Sequence, residues 1–308
     1  MESLKGKDLL GMANLSSAEL LQLIDLSIAL KKRQVNPQTR QTLGLLFTKS
    51  STRTRVSFTA AMYQLGGQVI DLNPSSTQIG RGEPLEDTAR VLDRYLDILA
   101  IRTFAQQDLE VFAKYAKMPI INALTDLEHP CQVLADLQTI QEKFGKLAGL
   151  KLTYCGDGNN MAHSLLLGGA LVGMDVAIAA PSDFWPDSQV VAQAQQIATQ
   201  TKAKITVTTD PEIAVRGANV VYTDVWASMG QEDEATSRIP VFMPYQVNAT
   251  LMSWADPQAI VLHCLPAHRE EEITEEVLEG DRSAVWDQAE NRLHAQKALL
   301  VELLGLSY

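Results

Sequence analysis

Apolar residues along this chain fall into two alternating patterns. Short unbroken apolar runs read as buried strands, and longer segments with apolar residues three and four apart read as helices. In the first half, strands are predicted at Leu43–Phe47, Gln68–Leu72, Ile98–Arg102 and Pro119–Ala123. Helices are predicted over Leu20–Leu30, Thr54–Leu65, Pro84 to Leu96, Gln106–Ala116, and from His129-Pro130 to Phe144. Ser16-Ser-Ala-Glu19 ahead of the first helix is a capping box. Lys146–Leu150 reads as a linker, and the alternation then restarts. Strands are predicted at Leu152–Cys155, Val176–Ala180, Ile205–Thr208, Val220–Thr223, Ile260–Cys264 and Ala284–Trp286. Helices are predicted over Met161–Val172, Gln189–Thr201, around Pro211–Arg216, near Val241–Trp254, and over Glu290–Leu304. The polar stretches 73–83 and 226–238 read as loops.

Two βαβ series of similar size predict an α/β protein of two domains, each a mostly parallel sheet flanked by helices. The expected boundaries are 1–145 and 146–288, with a closing helix in 289–308 packing back on the first domain. In such sheets ligands bind beyond the carboxyl ends of the strands. Six polar clusters follow predicted strands: Ser51–Arg55, Arg102-Thr103, Thr125–Gln132, Gly156–Asn160, Asp224–Gly230 and His263–Pro266. Both domains are therefore expected to face one cleft that holds the active site.

Composition narrows the function classes. At 46% hydrophobic and 20% charged, the 308 residues have a globular rather than a disordered balance. A net charge of −11 argues against a nucleic-acid partner. It leaves room for a small anionic substrate, because local arginines outweigh a distant net charge. Cys131, Cys155 and Cys264 are scattered and odd in number, which fits a reducing cytoplasm rather than a disulfide framework. No signal segment or membrane-length apolar run is visible, so no membrane is expected. The histidines lack metal spacing, and neither a metal nor an organic cofactor is expected. Gly156-Asp-Gly-Asn-Asn160 follows a strand and opens a helix, as a dinucleotide fingerprint does. Its third glycine position, however, is Met161.

Ser51-Thr-Arg-Thr-Arg55 carries the first chemistry. Hydroxyls at a helix start, free N–H groups, the helix dipole and Arg53 would converge on an anion, best a phosphate. The competing reading is a capped helix with surface ion pairs. Arg102 ends a buried-looking strand and needs an anionic partner, either a substrate or an acid such as Asp126. In His129-Pro130-Cys131-Gln132 the histidine takes an N-cap and the proline the first helical position. Gln132 then offers a donor and an acceptor in the first turn.

Ser51–Arg55 and His129–Gln132 are followed in order by His263-Cys-Leu-Pro266, and the chain also carries Gln78-Ile-Gly-Arg-Gly-Glu83, Gly156-Asp-Gly-Asn-Asn160, Asp224-Val-Trp-Ala-Ser-Met-Gly230 and Ala289-Glu-Asn-Arg-Leu-His294. Together they resemble the transcarbamoylase family over nearly the whole chain. The resemblance implies carbamoyl phosphate as first substrate, held by Ser51, Thr52, Arg53 and Thr54, with Arg292 completing the phosphate cage. It implies that Arg102 and His129 polarise the carbonyl, and that Gln132 and the backbone carbonyl of Leu265 position the carbamoyl NH2. It implies a homotrimer, or a multiple of trimers, in which Gln78 reaches a neighbouring site.

The second-domain motif looks like that of the ornithine-accepting branch. Asn160, Asp224, Ser228, Met229 and Cys264 would then bind L-ornithine, giving citrulline in arginine metabolism. No Lys or Arg occurs from Gly217 to Ser237, which argues against a dicarboxylate acceptor. Putrescine or N-acetylornithine remains an alternative acceptor. In the family the cysteine matching Cys264 is assigned as proton acceptor. Deprotonating a lysine-like amine at neutral pH costs about 4 kcal/mol. The thiol could take that proton, or the free amine could bind directly and the phosphate take it.

Overall fold

A computed structural model describes residues 3–73, 78, 82–227 and 235–308 of the chain. Ser228 and Met229 lie outside the described residues. The chain divides into two compact units, Met1–Gln138 with Glu290–Tyr308, and Thr139–Ala289.

In the first part of the chain, α1 (Ser17–Lys31) is followed by β1 (Thr42–Phe47), α2 (Arg53–Gln64), β2 (Gln68–Leu72) and α3 (Leu85–Leu92). Then come β3 (Ile98–Arg102), α4 (Gln106–Tyr115), β4 (Ile120–Leu124) and α5 (Pro130–Phe144). The capping box forms: Ser16 Oγ accepts the Glu19 N–H at 3.2 Å, and the Glu19 carboxylate accepts the Ser16 N–H at 2.8 Å. The four strands run parallel in the order β2-β1-β3-β4. β3 is buried at every position, as a strand covered on both faces must be, which explains its unbroken apolar run.

In the second part, β5 (Lys151–Cys155), α6 (Asn160–Leu171), β6 (Asp175–Ala179), α7 (Ser188–Thr201) and β7 (Ile205–Thr208) alternate. They are followed by α8 (Pro211–Val215), β8 (Val220–Thr223), α9 (Ala235–Phe242), α10 (Ala249–Trp254), β9 (Ile260–His263), α11 (Glu275–Leu278) and α12 (Val285–Leu304). The five strands are again parallel, in the order β7-β6-β5-β8-β9. Among the described residues no helix is long and apolar enough to cross a membrane.

Three local expectations are corrected. Ala284–Trp286 is not a strand: Ser283 makes a single bridge to Val261, and Val285 and Trp286 form the first turn of α12. A three-residue apolar run carries no periodicity that separates a strand from a helix start. The helix near Val241–Trp254 is two helices separated by a 3-10 turn at Met243–Tyr245. Pro244 brings no N–H to continue an α-helix there, and the Asn248 side chain starts α10 anew by accepting the Leu251 N–H at 3.0 Å. At α2, Thr52 occupies the N-cap with helical backbone angles, φ −89° and ψ −59°, and its side chain makes no capping bond.

Each sheet has one place where successive connections leave in opposite directions. In the first sheet it lies between β1 and β3, in the second between β5 and β8. Such switch points open a crevice at the carboxyl ends of the two strands.

Candidate active site

The first switch point gathers residues from four segments. β1 leads to Ser51–Thr54, β3 ends on Arg102, β4 leads to His129 and α5, and Arg292 lies on α12. The pairing of β3 with β4 shifts register between Ile101 and Arg102, so the arginine sits at an irregularity in the ladder. Arg292 Nη2 donates to Thr54 Oγ1 at 2.9 Å, and its Nη1 donates to Gln132 Oε1. Gln132 Nε2 in turn donates to Asp136 Oδ1 at 2.8 Å. Thr54, Arg102, His129, Gln132 and Arg292 are all buried. Ser51 is half-buried, while Thr52, Arg53 and Gln78 are exposed.

Electrostatics sets the protonation state of His129. Burial holds its imidazole well below the usual 6.5, and the charges of Arg292, Arg102 and Arg53 push in the same direction. The ring is therefore neutral at physiological pH, a single N–H donor among guanidinium groups. The combination of fixed cations, a neutral donor and uncapped first-turn N–H groups of α2 suits a phosphate that carries a polar carbonyl.

Asp126, the acid considered for Arg102, pairs instead with Lys49. The Lys49 ammonium is buried and lies 4.1 Å from the centre of the Phe104 ring. Nothing in the sequence pattern singled out Lys49, because a lone lysine before a loop usually reads as solvated.

The second switch point gathers Asn159, Asp224 and Cys264. Asn159 caps α6, its Oδ1 accepting the Met161 N–H at 2.9 Å. Its Nδ2 donates to Asp224 Oδ2 at 3.2 Å. Asp224 Oδ1 accepts the Val225 N–H at 2.8 Å and the Cys264 thiol at 2.9 Å. Asn160, the residue picked out in the sequence, is the first residue of α6 and half-buried. Sequence reasoning passed over Asn159, although an Asn directly before an apolar helix is a recognisable N-cap signal. A thiolate 2.9 Å from a carboxylate would be a like-charge pair, so this geometry accommodates Cys264 as an S–H donor.

Leu265 follows in a sharp reversal, with φ of +57° and a cis bond to Pro266. His263 Nδ1 accepts the Leu265 N–H at 2.8 Å, so the ring proton resides on Nε2 and is donated to Glu272 Oε1 at 3.0 Å. Possible metal-ligand atoms of Asp224, His263 and Cys264 lie within 4.8 Å of one another. Both His263 ring nitrogens are already engaged, and the Cys264 thiol is bonded to Asp224. Beyond Asp224, Arg238 Nη1 donates to Asp157 Oδ2 and to the Trp226 carbonyl, both at 2.8 Å. One guanidinium thus bridges the two ends of the segment containing residues 228–234.

Residues 7–142 match the family model "Aspartate/ornithine carbamoyltransferase, carbamoyl-P binding domain", and residues 148–303 match the Asp/Orn binding domain of the same family. An ornithine carbamoyltransferase of Nostoc punctiforme is 68% identical over 305 residues, covering 99% of each chain. One from Synechocystis is 65% identical over 306 residues, again covering 99% of each. The crystal structure of ornithine carbamoyltransferase from Gloeobacter violaceus is similar with a TM-score of 0.90 at 57% identity, covering 98% of this chain and 99% of that one. The ornithine carbamoyltransferase structure from Pyrococcus furiosus has a TM-score of 0.95 at 47% identity, covering 99% of each chain.

Proposed function

The chain belongs to the aspartate/ornithine carbamoyltransferase family, and from that premise we propose that it carbamoylates the δ-amine of L-ornithine with carbamoyl phosphate, giving L-citrulline and phosphate. The observation that carries the choice of acceptor is Asp224, a buried carboxylate flanked by an amide and a thiol. A carboxylate there suits the α-ammonium of ornithine and would repel an aspartate acceptor. Relatives at 65% and 68% identity named ornithine carbamoyltransferase support the same reading.

Carbamoyl phosphate is held by Ser51, Thr52, Arg53 and Thr54 at the start of α2, with Arg292 completing the phosphate cage. Arg102 and neutral His129 donate to the carbonyl oxygen, which becomes an oxyanion when the amine attacks. Donors fixed in place before reaction stabilise that charge without reorganising. Gln132 and the Leu265 carbonyl take the carbamoyl NH2. Asn160, Asp224, Ser228, Met229 and Cys264 receive ornithine.

The reaction balances without an added base. Ornithine gives its ammonium proton to solvent and binds as the neutral amine; the amine nitrogen forms the new C–N bond, the C–O bond to phosphate breaks, and the departing phosphate takes one N–H proton to become hydrogen phosphate. Cys264, as an S–H donor to Asp224, orients the acceptor in this scheme and need not take the proton. A homotrimer, with Gln78 acting in a neighbouring subunit, is supported by exposed Val56 and Tyr63 on α2 and Ile70 on the edge strand β2. We place the enzyme in cytoplasmic arginine metabolism.

Calorimetric titration tests the first half of this reading. Carbamoyl phosphate should bind without ornithine present, and NAD should not. Binding of NAD and indifference to carbamoyl phosphate would overturn it.

A further inference from the structure

We propose that Lys49 is a positioning residue that clips together the three loops on which the carbamoyl phosphate site is built. The proposal rests on the functional reading above and assigns a residue that the reading does not use. The three loops follow β1, β3 and β4, and carry Ser51–Thr54, Arg102 and His129 respectively.

Among the described residues, the backbone bonds between these loops run between neighbours in the sheet. The Thr48 N–H donates to the Arg102 carbonyl at 2.8 Å, joining the first loop to the second. The Asp126 N–H donates to the Phe104 carbonyl at 2.9 Å, joining the second to the third. β1 and β4 are not neighbours, because β3 lies between them. Two strand spacings put them roughly 10 Å apart, beyond any backbone hydrogen bond. A long side chain is needed to join the first loop to the third.

Lys49 supplies it. It leaves the β1 loop, passes over the Phe104 ring of the β3 loop at 4.1 Å, and ends in an ion pair with Asp126 of the β4 loop. Its side chain is 5% exposed, while that of Asp126 is 64% exposed. A buried ammonium between a ring face and a carboxylate is held in one place, so it transmits the position of each loop to the other two. Lys49 is thus committed to the scaffold, and the phosphate falls to Arg53, Arg292 and the helix start.

A simple electrostatic role makes the opposite forecast for Asp126. If Lys49 merely attracted phosphate, removing the acid beside it would tighten substrate binding. A clip loses its function when either end is cut.

The experiment measures carbamoyl phosphate affinity by calorimetry for Lys49→Met, Asp126→Asn, the double variant and Lys49→Arg, with steady-state kinetics beside it. Asp126 is largely exposed, so its substitution leaves the fold intact even if Lys49→Met should not. Each single variant should bind carbamoyl phosphate ~10-fold more weakly, the scale of one charge-assisted contact. The double variant should be no weaker than the weaker single variant. The KM for ornithine should stay within about threefold, which corresponds to under 1 kcal/mol, while kcat falls along with carbamoyl phosphate affinity, because the same loops carry the oxyanion donors Arg102 and His129. Lys49→Arg should recover most of the affinity, since arginine both stacks and pairs. Hydrogen exchange of the ligand-free protein should rise together in segments 48–54, 103–105 and 125–129 in Asp126→Asn. Unchanged affinity in both single variants, tighter binding in Asp126→Asn, additive losses in the double variant, or faster exchange in one loop alone would each overturn the clip. A wild-type chain that binds no carbamoyl phosphate would instead sink the functional reading, and the exchange pattern would still judge the clip.

Discussion

Beyond β1 and β3, Arg292 is bonded to Thr54 and Gln132, and guanidinium charges act on a neutral His129. Beyond β5 and β8, Asp224 stands between Asn159 and Cys264 and leads into residues 228–234. The two sheets offer the same kind of crevice, at a switch point in a parallel sheet, yet they fill it with opposite charge. Topology supplies the place, and side chains decide what is bound. The cation-rich crevice suits a dianion whose carbonyl must be polarised. The carboxylate suits a diamine whose distal nitrogen must stay free to attack.

That contrast can be broken from either side. The largest effect should come from Arg292→Met, which removes the donor to Thr54 and Gln132 and leaves both without it. We expect kcat/KM for carbamoyl phosphate to fall about 10³-fold, in the range of losing a fixed transition-state donor. A loss below tenfold would show that the phosphate cage does not depend on α12. Next, Asp224→Asn should raise the KM for ornithine ~100-fold, a loss of about 3 kcal/mol, while calorimetric affinity for carbamoyl phosphate stays unchanged. If carbamoyl phosphate binding collapsed as well, the division of labour between the two crevices would be wrong.

Smaller effects sharpen the picture. Cys264→Ala should lower kcat by about tenfold or less, consistent with loss of one neutral contact to Asp224. Its pH–rate profile should keep the wild-type shape, because the thiol serves as an S–H donor. A lost or shifted basic limb would restore Cys264 as the proton acceptor. The smallest effect concerns stability. The folded protein holds His129 below the usual 6.5, so as pH falls below about 6.5 the unfolded chain takes up a proton that the folded one refuses. Stability from this group is present above that pH and is lost on acidification. Tm measured from pH 7.5 to 5 should therefore decline more steeply in the wild type than in His129→Asn. Parallel slopes would mean that His129 titrates normally in the fold.

Much of the fold was legible because parallel strands buried on both faces are apolar without interruption, as Ile98–Ile101 and Val220–Tyr222 show. Turn residues and caps then mark their ends. Short segments were less legible. Ala284–Trp286 looks the same as a strand or as a helix start until α12 is seen to continue it. The candidate site was legible as motifs but not as contacts. Arg292 meets Thr54 across 238 positions and Gln132 across 160, and sheet register and helix packing set such distances. Lys49 and Asp126 lie 77 positions apart, and only the order of the strands reveals that a side chain is needed between their loops. Asn160 was picked out as a binding residue by its place in the motif, whereas the part of Asn159 shows only in its contacts to Met161 and Asp224.

In the proposed reaction a carbamoyl group passes from carbamoyl phosphate to the δ-amine of ornithine. The most direct measurement follows citrulline and phosphate together, with ornithine, putrescine and N-acetylornithine as competing acceptors. Phosphate and citrulline should appear in equal amounts with ornithine, and kcat/KM should exceed that for putrescine by about 100-fold or more, the value of an unmatched buried carboxylate. Equal or greater carbamoylation of putrescine or N-acetylornithine, or phosphate release without citrulline, would contradict the account.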